Sequence, residues 1–129
     1  MEEIRFTIPI NPTTKKNSSM IVTNKKTNRP FIMPSKQFSK YERECLKYLP
    51  KIDTIDYGVN IECHFYMLTR RKCDLTNLLE AIDDVLVKGG IISDDNCTIV
   101  VSHDKSRVHY DKNNPHVEVI ITKEKDTFI

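Results

Sequence analysis

Apolar and polar residues alternate along residues 58–67, with Val59, Ile61, Cys63 and Phe65 on one face. A period of two predicts a half-buried β-strand, the clearest one in the chain. From Leu75 to Lys88 the pattern changes to helical spacing, and Leu75, Leu78, Leu79, Ile82, Val85 and Leu86 form a continuous apolar stripe. Gly89 and Gly90 follow it as the left-handed residues expected to close a helix C-terminus. Phe38, Tyr41, Cys45, Leu46 and Leu49 predict an earlier helix, with Ser35 as N-cap and Pro50 as its stop. Shorter alternations predict strands at 4–9, 97–102, 106–110 and 116–122. Residues 11–34 are polar and Lys-rich, and read as a long loop or ragged hairpin with strand character at Met20–Thr23 and Phe31–Met33. Helices inserted into a mostly antiparallel set of strands indicate an α+β domain with a mixed sheet.

A length of 129 residues leaves room for one domain, expected to span residues 1–129. A core can form at that size without disulfides or a structural metal. The apolar runs are a few residues long, far below the ~18 to 20 needed to cross a bilayer. Glu2 and Glu3 open the chain where a signal peptide would carry basic and then apolar residues. A cytoplasmic protein with no membrane partner is therefore expected. Cys45, Cys63, Cys73 and Cys97 are spread singly, so reduced thiols are expected, with Cys63 in the core. His64, His103, His109 and His116 lack HExxH or HxxxH spacing, and packing against strands is their expected role.

The net charge of +2 conceals a division. Residues 11–51 carry ten Lys and Arg against two Glu, for +8, and residues 52–100 carry −5. A Lys-rich polar stretch of that charge is a phosphate-binding candidate, because lysines and arginines displace counterions condensed on nucleic acid. A solvated face is the alternative.

The carboxylates bracket the second helix: Asp74 before it, Glu80 and Asp84 on it, Asp94 and Asp95 after its Gly-Gly stop. At about 100° per residue, Asn77, Glu80, Asp84 and Lys88 share a sector of about 80° opposite the apolar stripe, with Asp83 to one side. Carboxylates converging from a strand end, a helix face and a return loop would offer hard oxygen ligands to Mg²⁺. Such a site could position water and neutralise a phosphodiester in the transition state. Helix capping by Asp74 or Thr76, a plain SDDN turn and a wet helix face would account for the same residues.

The run Arg70-Arg71-Lys72-Cys73-Asp74-Leu75-Thr76-Asn77-Leu78-Leu79, continuing through Asp84-Val85-Leu86 and Gly89-Gly90-Ile91-Ile92-Ser93-Asp94-Asp95, resembles the RusA family of Holliday junction resolvases. That family carries a basic cluster, a DLDN motif, a helix with an Asp, and a Gly-hydrophobic-DD turn. Ile8-Pro9-Ile10-Asn11-Pro12 through Lys15-Lys16-Asn17 is similar to its Pro-rich, basic start, and Ser35-Lys36 through Tyr41 to its first helix.

The resemblance implies a homodimeric, Mg²⁺-dependent endonuclease, with Mn²⁺ as a substitute, that nicks four-way DNA junctions symmetrically in phage or prophage recombination and in repair. It implies catalytic roles for Asp74 and Asp95, with Asp84 matching the helix Asp. Thr76 replaces the second Asp of DLDN, and Glu80 stands where better-known members have a functionally important Lys. Thr76 and Glu80 are four apart on one helix side, so Glu80 is expected to take over as a catalytic ligand. The expected metal set is thus Asp74, Glu80, Asp84 and Asp95, with Lys15, Lys16, Arg70, Arg71 and Lys72 gripping phosphates. The missing lysine function would fall to Lys72, Arg71 or Lys88. A junction-binding module without turnover and a less selective branched-DNA nuclease are the alternatives.

Overall fold

A computed structural model describes residues 3–15, 19–34 and 36–124. Strand β1 (Ile4–Ile8) is followed by a hairpin of β2 (Ser19–Asn24) and β3 (Arg29–Pro34) and by helix α1 (Lys36–Leu46). Strand β4 (Val59–Met67) and helix α2 (Leu75–Lys88) come next, then β5 (Val100–Ser102), β6 (Arg107–Tyr110) and β7 (His116–Lys123). The main sheet has the order β1-β7-β4-β5, with β6 also pairing β4 beyond β5. Antiparallel pairing joins β1 to β7 and β7 to β4, whereas β5 and β6 run parallel to β4. Parallel neighbours need a crossover, and α2 supplies it. The domain is therefore α+β with a mixed sheet, as expected, although less antiparallel than the pattern implied.

The alternation of β4 sorts its side chains. Val59, Ile61, Cys63 and Phe65 are buried, and the register sets Cys63 beside Val119 and Phe65 beside Val117 of β7. These residues share one core with Phe38, Tyr41 and Cys45 of α1 and Leu78, Ile82, Val85 and Leu86 of α2. Full burial of each large aliphatic side chain contributes about 1.5–3 kcal/mol, so the stripe on α2 is what fixes that helix to the sheet. Cys63 lies in the core as expected, and its thiol pKa is pushed well up by burial.

Several boundaries differ from the expected ones. The hairpin alternative for residues 11–34 holds, and the strand character expected at Met20–Thr23 and Phe31–Met33 extends to a regular six-residue pairing, Ser19 opposite Pro34 through Asn24 opposite Arg29. Helix α1 ends at Leu46, before Pro50, and its expected cap Ser35 lies outside the described residues. Strand β5 begins at Val100 because Asn96 first holds a turn, its Oδ1 accepting the Thr98 N–H at 2.9 Å. Of the two glycines after α2, only Gly90 is left-handed (φ 75°), whereas Gly89 remains right-handed at φ −82°. Among the described residues, no helix is long and apolar enough to cross a membrane.

Candidate active site

The C-terminal end of α2 builds the site. Gly89 N–H bonds Val85 O at 2.9 Å and Ile91 N–H bonds Leu86 O at 2.9 Å, so the chain turns back on the helix. Buried Ile91 and Ile92 then pair with the segment at Ile55, which accepts the Ser93 N–H at 2.9 Å. This apolar anchoring returns the Ser93–Asn96 turn beside the helix end. The two aspartates of that turn have different work. Asp94 is consumed locally: Oδ1 accepts the Asp95 N–H at 2.7 Å and Oδ2 accepts Asn96 Nδ2 at 2.9 Å. Those bonds, the backbone one foremost, lower the Asp94 pKa. Asp95 instead lines a cleft of about 400 Å³ together with Asp84, Lys15, Glu42 and Lys88.

Two ion pairs lie in this cleft. Lys15 Nζ lies 2.6 Å from Asp84 Oδ2, and Lys88 Nζ lies 2.6 Å from Glu42 Oε1. The hydrogen bond to Asp84 raises the Lys15 pKa against the opposing effect of burial, with help from the charges of Asp84, Glu80 and Glu42. Lys15 is therefore a firmly protonated cation among carboxylates. Glu42 was not singled out in the sequence; it is an unremarkable helix carboxylate until α1 packs beside α2. Lys88 is in the cleft, but its ammonium is committed to Glu42.

Beside Asp84 on α2, Asp83 forms a part-buried pair with His103, 2.9 Å between Asp83 Oδ2 and His103 Nε2. His103 Nδ1 donates to Ile61 O at 2.7 Å, so the proton on that nitrogen is fixed by β4. Burial raises the Asp83 pKa, opposed by His103 and reinforced by the nearby charges of Asp95 and Asp84. Asp83 lies to one side of the acidic sector of α2, and that direction is what brings it to His103.

The other expected ligands stand apart. Asp74 occupies the N-cap position of α2 without a side-chain cap bond, and its Oδ2 accepts Asn77 Nδ2 at 3.3 Å. At about 1.5 Å of rise per residue, it is separated from Asp84 by about 15 Å along the axis. Glu80 is exposed between them, near enough to act on Lys15 through its charge. Among the described residues, no three His, Cys, Asp or Glu side chains are grouped to hold a metal ion. The expected convergence of four carboxylates is thus not assembled, because a helix spreads residues 74, 80 and 84 along its length as well as around it.

The basic residues divide as well. Arg71 and Lys72 line a second cleft of about 210 Å³ near Asp74, with Thr13, Thr14 and Thr69. Arg70 stacks its guanidinium 4.0 Å from the Tyr110 ring centroid on β6. Lys16 lies outside the described residues. The remaining histidines lie on the sheet face away from the helices: Glu62 contacts His64 at 2.6 Å, His64 contacts His109 at 2.9 Å, and Tyr66 stacks against His109 and His116. They are strand-packing side chains, as expected.

Residues 9–122 match the sequence profile described as Endodeoxyribonuclease RusA. The chain belongs to that family. A stretch of 46 residues is 39% identical to the crossover junction endodeoxyribonuclease RusA of Aquifex aeolicus (strain VF5). That similarity spans 36% of this chain and 36% of the relative, so about a third of the curated protein's length is matched. RusA-family nucleases are metal-dependent, and the cleft can be compared with that property. Asp84 and Asp95 are hard oxygen donors lining the same cleft, and an ammonium already sits on Asp84 in the manner of a stand-in cation. This donor set suits an ion that binds one or two carboxylates and retains water, the habit of Mg²⁺, and does not suit a protein cage.

Proposed function

We propose that this chain is a metal-dependent endodeoxyribonuclease that resolves four-way DNA junctions, working as a homodimer that places one nick in each of two symmetric strands. The observation that carries the reading is the shared cleft of Asp84, Asp95 and Lys15 in a chain of the RusA family. Asp84 and Asp95 would hold Mg²⁺ or Mn²⁺, with Asp74 and Glu80 facing the strand along the helix. When bound, the ion would activate water and neutralise charge on the phosphodiester. Lys15 stays protonated and meets phosphate as a cation; Arg71 and Lys72 hold the backbone at the other end of α2, with Arg70 contributing to the basic surface and Lys16 as a further phosphate contact by its charge. With one acidic cleft among the described residues of each chain, paired cuts would need a second copy.

A labelled four-way junction incubated with Mg²⁺ or Mn²⁺ tests this. Paired incisions that disappear in Asp95→Asn are expected, and a junction left intact by wild-type protein with every divalent ion would remove the reading. Thr76, in the place of the second Asp of the family motif, favours as a second reading a module that binds junctions without cutting them. Its mark would be junction affinity unchanged between EDTA and Mg²⁺. Competition between a junction and a matched linear duplex at fixed salt separates junction selectivity from general branched-DNA cleavage.

A further inference from the structure

The ion pair of Lys15 with Asp84 bears on how metal could enter the cleft. Asp84 Oδ2 has almost no contact with solvent, and the Lys15 ammonium sits against it at 2.6 Å. A cation approaching that oxygen must first move the lysine. A cation taken by the other carboxylate oxygen would still lie a few ångströms from a fixed positive charge, which opposes it. The lysine can leave: its side chain is 39% exposed, whereas the preceding residue, Thr14, is buried and anchors the backbone. Asp95 lines the same cleft, and Glu80 and Glu42 are close enough to act on the ammonium, so its seat is an acidic surface competed for by any cation.

We propose that Lys15 is an exchangeable cation: it occupies Asp84 in the metal-free protein, yields that carboxylate to a divalent ion, and transfers its ammonium to a phosphate oxygen of the bound strand. The proposal rests on the nuclease reading for its DNA half, and its metal half stands apart from cleavage. Linkage follows from the exchange. Metal favours the state with Lys15 released and phosphate favours the same state, so each tightens the binding of the other. The lysine also keeps the acidic wall neutralised until both arrive.

Mn²⁺ binding to the DNA-free protein, followed by electron paramagnetic resonance, tests the first half. Lys15→Met and Lys15→Gln should each bind Mn²⁺ at least about fivefold more tightly than wild type, the lower end of ordinary coupling between sites. In an Asp84→Asn background the effect of Lys15→Met should vanish. Lys47→Met removes an equal charge from an exposed pair with Glu44 and should leave Mn²⁺ affinity unaltered. Equal or weaker binding by both Lys15 variants, an equal gain in Lys47→Met, or no Mn²⁺ binding by any of them overturns the proposal.

Salt titration of junction binding tests the second half. With Ca²⁺ in place of EDTA, the wild-type slope of log affinity against log salt should steepen by about 0.9, one added phosphate contact, and that of Lys15→Met should not. An unchanged wild-type slope overturns the transfer to phosphate. Failure to nick junctions while the Mn²⁺ differences hold would remove the nuclease reading and leave the exchange standing.

Discussion

Asp83 and His103 are twenty positions apart in the chain and meet at 2.9 Å, and His103 also donates to Ile61 O. Helix α2 is thereby tied to β4 by a polar contact as well as by its apolar stripe. His103→Ala would leave the Asp83 carboxylate buried without its partner, and a loss of about 3 kcal/mol in urea unfolding is expected. Asp83→Asn keeps a polar group of similar shape and should cost less, about 1 kcal/mol.

The same pair sets a pH dependence. Burial opposes the charged His103 ring, yet the bond and charge of Asp83 outweigh it and its pKa is raised. A raised folded-state value stabilises the fold below the ordinary histidine range, and this contribution is lost as pH rises through the raised value. The Asp83 shift is also upward, so it acts in the same direction at lower pH. The stability difference between wild type and His103→Gln should therefore shrink from about pH 5.5 to about pH 8.5. A difference that stays constant would show that His103 does not titrate in this pair.

Asp95 and Asp84 share a cleft and Asp74 does not, which orders their substitutions. Asp95→Asn and Asp84→Asn should each reduce junction nicking by at least about a hundredfold, the scale of removing a transition-state contact. Junction affinity in EDTA should persist, since no basic residue is lost. Gel-shift and cleavage assays on the same preparations check both; a parallel collapse of binding would point to damage to the fold instead.

Gly90 has φ 75° with open space around it, the nearest atom to an added Cβ being Thr54 Oγ1 at 3.9 Å. Strain in the backbone, with no steric clash, governs Gly90→Ala, and a loss of about 1–2 kcal/mol is expected. Gly90→Asn should cost less than Gly90→Val, because Asn tolerates this region and a β-branched residue does not. Thermal unfolding of the three variants gives the order.

Native thiol labelling should proceed in a set sequence. Cys97 is exposed and should react first, while Cys73 is half-buried with its pKa raised by burial and then by Asp74. Cys45 is pushed up to about 11 by burial, and Cys63 lies wholly within the core. Both should label only on unfolding, as mass spectrometry with and without denaturant would show.

Much of this architecture is legible from local pattern. The alternation of Val59 through Phe65 and the stripe from Leu75 to Leu86 locate β4 and α2, since each period reports one buried face. The parallel pairing of β5 and β6 with β4 was less apparent, because short strands carry little pattern and pairing direction is set by the crossover. Asp84 and Asp95 could be named from residue type and spacing, but the separation of Asp84 from Asp74 could not be read from angular position alone.

Chain periodicity and residue type dictated the helix, the central strand, the acidic stretch and the basic one, since each depends on neighbours within a few positions. Packing of α1 beside α2 introduced Glu42, the return of the chain at Gly90 delivered Asp95, and the loop after β1 laid Lys15 on Asp84. These are contacts between segments many residues apart. Their partners are selected by which apolar faces bury one another, a choice that exists only once the chain is folded.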